Sequence, residues 1–361
     1  MEGNYMLPCL VFFPMIGALA AYGAGRKNKT ARDYMANAIV ILEFAVMLYV
    51  FCMHHMAWQL RENVGNSFGY PSSFRIPGFC GLGIHFAIDG FRVLYGLIAA
   101  FMWMMSTVFS KEYFIHYRNR NRYYFFLLVT LGATMGVFLS SDLYTTFIFF
   151  EIMSFTSYVW VAHDEKAESL RAAETYLAVA VTGGLVMLMG LLLLYRETGT
   201  LEIDRLYEAC RSIMTGFGTE AERRTLYIAG TCMLFGFGAK AGAFPLHIWL
   251  PKAHPVAPAP ASALLSGILT KAGIFGILVI SCRIFLYDVK WGTLILFTGV
   301  ATMLLGAVLA LFSVNLKRTL ACSSVSQIGF ILVGIGMQGL LGSENALAVR
   351  GSLLHMVNHS L

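Results

Sequence analysis

The sequence predicts an all-α polytopic membrane protein of about ten to eleven transmembrane helices. Three observations carry that expectation. Of the 361 residues, 58% are hydrophobic and only 13% are charged. The mean hydropathy is +0.67. Apolar runs of about twenty residues recur, each long enough to cross a hydrocarbon core about 30 Å thick at about 1.5 Å per residue. A soluble enzyme does not have this composition. The net charge of +6 comes largely from loops, where it reports orientation in a bilayer and not contact with nucleic acid.

The first span, at about 6–24, is followed by the basic cluster Arg26, Lys27, Lys29 and Arg32, the pattern of a retained helix and not of a cleaved signal. A second span follows at about 34–55 and a third at about 86–109. Asp89 opens the third before Gly90 and reads as a helix cap in preference to a relay group. Further spans are expected at about 123–140, 143–162 and 174–195. The segment from Arg196 to Arg224 mixes acids and bases and reads as a surface helix or loop. Spans at about 226–244, 257–282, 291–314 and 319–341 come next, and an eleventh starts near 346. The basic loops, Arg26 to Arg32, Lys111 to Arg122, Lys166 to Arg171, Lys252, and Lys317 with Arg318, fall on one side. By the positive-inside rule that side is cytoplasmic and the N-terminus lies outside. A prokaryotic inner or cell membrane is the expected setting.

Three ionisable groups stand out in the apolar runs: Lys240 in MLFGFGAKAGAF, Lys271 in ALLSGILTKAGIFGILVI and Glu151 in LYTTFIFFEIMSFTSYVWVA. Charges inside a membrane usually face an interior path and mark an ion route; the alternative is a buried pair that pins helices. Lys271 is too central to snorkel easily. After Lys240, five prolines (Pro245, Pro251, Pro255, Pro258, Pro260) remove amide donors and fix φ, so no continuous helix is expected there. Transporters place ion sites at such breaks, and His247 and His254 lie inside this one. A plain proline-rich surface loop is the competing reading.

His355 and His359 are four apart and share a helical face. Zinc is the weaker reading, because an HExxH site needs glutamate where Met356 stands. Proton relay suits an imidazole with a reference pKa of about 6.5. Ser323, Ser324, Ser326 and Gln327 read equally as lining of a water path and as small-residue helix packing. The seven cysteines, Cys9, Cys52, Cys80, Cys210, Cys232, Cys282 and Cys322, stand singly without CxxC spacing and read as packing residues. No side-chain set suggests a cofactor or metal in this chain, and the glycine-rich GFGAKAG lacks the strand context of a phosphate loop.

The run KAGAFPLHIWLPKAHPVAPAPASALLSGILTKAGIFG resembles a signature of the antiporter-like membrane subunits shared by respiratory complex I, group 4 membrane-bound hydrogenases and Mrp-type cation/proton antiporters. FAIDGF around Asp89, FIFFEIMS around Glu151, LKRTLACSSVSQIGF from Leu316 and LLHMVNHSL at the end strengthen the resemblance. It implies about fourteen helices with two inverted five-helix repeats, each containing a discontinuous helix. On that pattern 1–122 are N-terminal helices, 123–282 form a complete first repeat with a broken seventh helix, and 283–361 begin a partial second repeat. Glu151 resembles the family's fifth-helix glutamate, Lys240 the seventh-helix lysine paired with it, and Lys271 the eighth-helix lysine. His355 and His359 resemble the eleventh-helix histidines of the central axis, and the twelfth-helix exit group has no counterpart.

The implied function is proton or sodium translocation as a membrane subunit of a redox-driven pump. A gradient-driven Mrp-type subunit and an inert structural subunit are the alternatives. In the implied switch, burial favours the neutral form of each group and an opposite charge restores ionisation. Lys240 thus holds its proton beside Glu151 and releases it toward Lys271 when that charge is withdrawn. The implied partners are other membrane subunits and a peripheral redox arm carrying iron–sulfur clusters with flavin or nickel–iron. Because the chain stops at HMVNHSL inside an apolar span, a further polypeptide supplying the remaining helices, or a truncated gene, is also expected.

Overall fold

The computed structural model describes residues 4–64, 73–79, 81–115, 117 and 119–361. In chain order the elements are α1 (Met6–Lys27), α2 (Lys29–Val64), β1 (Ser73–Ile76), β2 (Ile84–Ala87), α3 (Gly90–Tyr113), α4 (Arg120–Phe138), α5 (Leu143–Val161), α6 (Ala167–Thr198) and α7 (Ile203–Ser212). They continue with α8 (Glu220–Ala241), α9 (Leu250–Val256), α10 (Ala259–Leu264), α11 (Thr270–Val279), α12 (Val289–Leu311), α13 (Leu316–Leu341) and α14 (Ala346–Ser360). Among the described residues, eight helical segments are long and apolar enough to cross a membrane. The expected spans at 123–140 and 143–162 are α4 and α5, each of 19 residues.

The chain divides into two compact units. The first comprises Met1–His163 with Ala259–Leu264. In it α1 packs on α2 and α4, α2 on α3, and α4 on α5. Gly132 of α4 lets the backbone of α1 approach at Val11. A short antiparallel hairpin pairs Ser73 with Ala87 and Ile76 with Ile84, an element absent from the sequence expectation. The second edge of β2 is also paired: the Ala87 amide donates to Leu139 O at 2.8 Å and the Ser141 amide to His85 O at 2.9 Å.

Two aspartates start helices beside that hairpin. Asp89 caps α3 by accepting the Arg92 amide at 2.8 Å, the role expected for it, and Asp142 caps α5 by accepting the Thr145 amide at 2.7 Å. At the starts of α2 and α4, Arg32 and Arg120 each donate to one carboxylate oxygen of Asp33 at 2.7 Å. The basic residues of the first loop are thus partly locked into structure and not simply solvated.

The second unit comprises Asp164–Pro258 and Leu265–Leu361. Lipid tails are as apolar as leucine, so helices here associate by close backbone packing at small residues. Gly183 and Gly190 of α6 face α8 at Ala239 and Ala229, and Gly292, Gly299 and Gly306 of α12 lie against the backbone of α13. The surface helix expected between 196 and 224 is α7, which buries Ile203, Leu206 and Cys210 on one side. Thr219 and Glu222 form a reciprocal capping box that starts α8.

One expectation is refined and one needs correction. The proline-rich stretch holds no continuous helix, as expected, but it is not devoid of helix. It forms a 3₁₀ turn, Leu246–Trp249, and then α9, which Pro251 opens because the first turn of a helix leaves its amides unused anyway. The chain breaks at Gly242, where α8 ends, and again at Ala257, whose backbone is extended. The cysteines are not uniformly packing residues either: Cys210 and Cys322 are buried, but Cys9 and Cys52 are exposed on the chain. Cys80 lies outside the described residues.

Candidate functional site

The second unit gathers most of the ionisable groups singled out in the sequence. α8 ends because Gly242 adopts φ +78, a left-handed conformation that only glycine takes without strain. That stop leaves Lys240 in the last turn, 3% exposed. Its Nζ donates to the hydroxyl of Tyr176 on α6 at 2.5 Å and lies 5.0 Å from the Tyr176 ring centroid. The ring in turn meets Trp249 edge-on at 4.8 Å. Trp249 is itself fixed by a 2.7 Å hydrogen bond from Nε1 to Ala239 O, one residue before the lysine. Tyr176 therefore meets the Lys240 ammonium through its hydroxyl, and Trp249 fixes the ring that carries that hydroxyl, a favourable environment for an ammonium.

The second lysine is fully buried. Ahead of it the helix widens into a π turn, Leu265–Leu269, and π turns loosen local carbonyls from the regular ladder. The carbonyl of Ser266 accepts both the Thr270 hydroxyl at 2.7 Å and Lys271 Nζ at 2.8 Å. Lys271 Nζ also lies 2.5 Å from His359 Nδ1. When the lysine is the donor, His359 must be neutral with its proton on Nε2. This contact joins α11 to α14 and brings together two residues that the sequence marked separately.

The remaining candidates lie on several elements. Ser324 joins α13 to the π turn through a 2.6 Å hydroxyl contact with Ser266, whereas the Ser326 backbone lies beneath Gly306 and serves close packing. Ser323 and Gln327 are half-buried on the same helix. His355 is half-buried one turn before His359, 5.7 Å from the Phe330 ring. His247 stacks on Phe244 at 6.2 Å and His254 is buried in α9. Glu151 lies midway along α5 in the first unit, half-buried.

Sequence reasoning missed three residues of this site: Tyr176, Ser266 and Lys317. Lys317, read as a loop cation, donates to Ala257 O at 3.0 Å and covers a carbonyl exposed by the break. Its position beside Arg318 in a basic loop concealed that role.

The family model for NADH:quinone oxidoreductase/Mrp antiporter transmembrane regions matches residues 140–361. Hydrogenase-4 component B of Escherichia coli (strain K12) is 32% identical over 284 residues, covering 76% of this chain and 41% of that protein. NADH-quinone oxidoreductase subunit M of Pseudomonas aeruginosa is 27% identical over 369 residues, covering 99% of this chain and 69% of that protein. The chain thus spans about two fifths of the length of the hydrogenase relative. Among solved structures, one of the membrane-bound sulfane sulfur reductase, an archaeal respiratory membrane complex, superposes with a TM-score of 0.83 at 21% identity, over 99% of this chain and 69% of that one. At that identity the likeness establishes the fold.

Proposed function

Because this chain belongs to the NADH:quinone oxidoreductase/Mrp antiporter transmembrane family, we propose that it is an ion-translocating subunit of a multi-subunit membrane complex, with protons as the carried ion. The observation that carries the reading is the Lys271–His359 contact, a fully buried ammonium within 2.5 Å of an imidazole nitrogen. A buried lysine with no carboxylate partner among the described residues is poised to hand its proton to the imidazole beside it. Transfer from Lys271 Nζ to His359 Nδ1 breaks one N–H bond and forms another. It leaves a neutral amine and an imidazolium, which then loses its Nε2 proton onward. The other tautomer remains and accepts no further proton from Lys271 until it is reset, so each transfer is a single step.

In this reading Lys240 supplies the proton to Lys271, and Tyr176 stabilises Lys240 while it waits. Glu151 joins the relay on its match to FIFFEIMS, and His355 follows His359 on the same helical face. His247, His254, Ser323, Ser324, Ser326 and Gln327 line or support the path. The N-terminus faces outside, redox partners supply the driving energy, and their iron–sulfur clusters with flavin or nickel–iron lie in other subunits.

The test is Lys271→Met and His359→Gln in the assembled complex, reconstituted in vesicles with ion uptake measured against substrate turnover. Translocation falls by more than tenfold in each while the complex assembles. Undiminished pumping in either variant sinks the proposal. Uptake driven by an imposed gradient alone, with no reducing substrate, would instead mark a gradient-driven antiporter.

A further inference from the structure

A fourth ionisable group stands inside the membrane, in the first unit and apart from the relay. Glu43 lies at the middle of α2 in AIVILEFAVML and is 2% exposed. Its Oε1 is buried and has no hydrogen-bond partner among the described residues. One turn earlier Ile39 fills the space over Gly17 of α1, and one turn later Met47 fills the space over Gly96 of α3. Phe44 meets Phe101 of α3 at 5.8 Å. Glu43 therefore shares the stripe of α2 that packs on α1 and α3, while Ile41 and Leu42 take the exposed side.

Among the described residues, nothing beside Glu43 balances a negative charge. α2 packs on α1, α3 and α4. These carry their cations only in their end turns: Arg26 and Lys27, Arg92 and Lys111, Arg120 and Arg122. No Asp, Asn, Glu or Gln stands between those end turns, and the nearest such residue on α2, Asn37, is about 9 Å along the axis and donates its amide to Asp33 O, so among the described residues no oxygen-rich cage for a metal cation surrounds Glu43. On α2 itself, Asp33 and His54 are each about 15 Å or more along the axis. An ionised carboxylate in such a place is far costlier than a neutral acid. Even the neutral acid leaves an acceptor oxygen bare. A bare acceptor at membrane depth is where a donor arrives.

We propose that Glu43 is a second proton-binding site of this protein, a carboxylic acid in the N-terminal helices that is unloaded and reloaded during transport. It lies outside the Glu151–Lys240–Lys271–His359 assignment and goes beyond it.

The experiment is infrared spectroscopy of the assembled complex, comparing the wild type with Glu43→Gln, which copies the shape of the neutral acid but cannot release its proton. The wild type shows a protonated-carboxyl C=O band that shifts in heavy water and is missing from Glu43→Gln, and translocation in the variant falls at least threefold. A carboxyl region identical in the two proteins, or undiminished translocation in Glu43→Gln, overturns the proposal. Should Glu43→Gln fail to assemble, Glu43→Asp retains the acid and moves the band instead; an unmoved band is equally fatal. The band belongs to Glu43 whether or not Lys271→Met still pumps, so failure of the relay reading is distinguishable from failure of this one.

Discussion

Ser266 organises the lysine–histidine contact without bearing a charge. Its carbonyl receives Thr270 and Lys271, and its hydroxyl meets Ser324. Lys240 and Lys271 were legible in the sequence because a cation among apolar neighbours is rare. Ser266 was not, because a π turn has no composition of its own. Tyr176 was not, because tyrosine in an apolar span serves equally as filler or as donor. Glu43 stood less plainly, although the same rule that marked Glu151 applies to it, because its span carries none of the motifs of the family resemblance. Tyr176→Phe keeps the ring and removes only the hydroxyl. Since a hydrogen bond to a charged group is worth about 1.5–3 kcal/mol, vesicle assays should show translocation reduced on the order of tenfold with assembly intact. Ser266→Ala leaves the carbonyl in place. It should retain transport and lose about 1 kcal/mol of stability in thermal unfolding. On α7, burial pushes the Cys210 thiol up to about 12, so at pH 8 only about one molecule in ten thousand is thiolate. Iodoacetamide with mass mapping should leave Cys210 unmodified until the protein is denatured.

The helices were placed by hydropathy, and their ends by chemistry that hydropathy does not see. Asp142 satisfies both the amide and the hydroxyl of Thr145 at 2.7 Å, which sets the start of α5 and so the height of Glu151 along it. Asp142→Ala should lower thermal stability by about 0.5–2 kcal/mol, and Asp142→Asn, which also caps, should recover most of it. The α12–α13 seam was only partly legible: glycines at 292, 299 and 306 recur every seven residues, yet glycine in apolar spans is common. A side chain at Gly306 meets the Ser326 amide and the Cys322 carbonyl, whereas Gly351 faces nothing within 4 Å. Gly306→Leu should therefore abolish assembly on native gels, because backbone cannot yield as a side chain can, while Gly351→Leu should assemble normally. The proline-rich break was anticipated as a position but not as a shape, because prolines in first turns permit helices that they forbid elsewhere.

For the whole molecule, composition was sufficient for the fold class, and the alternating basic loops supply an orientation that awaits measurement. A cysteine replacing Lys166 should react with a membrane-impermeant maleimide only in inverted vesicles, and one replacing Gly199 only in intact cells; the reverse pattern would invert the topology. The hairpin escaped the sequence reading because its strands are four residues each and carry no long alternation, so their pairing is a tertiary fact. That pairing also bears on how the chain is made. β2 obtains its second neighbour only at Leu139 to Ser141, after α3 and α4 have left the ribosome. A nascent chain arrested before residue 139 should present the hairpin to added protease, and one extended past α5 should protect it. The hairpin cap of the first unit is thus completed only once the start of α5 is made, because the His85 amide also donates to Thr145 there, yet before the second unit is synthesised.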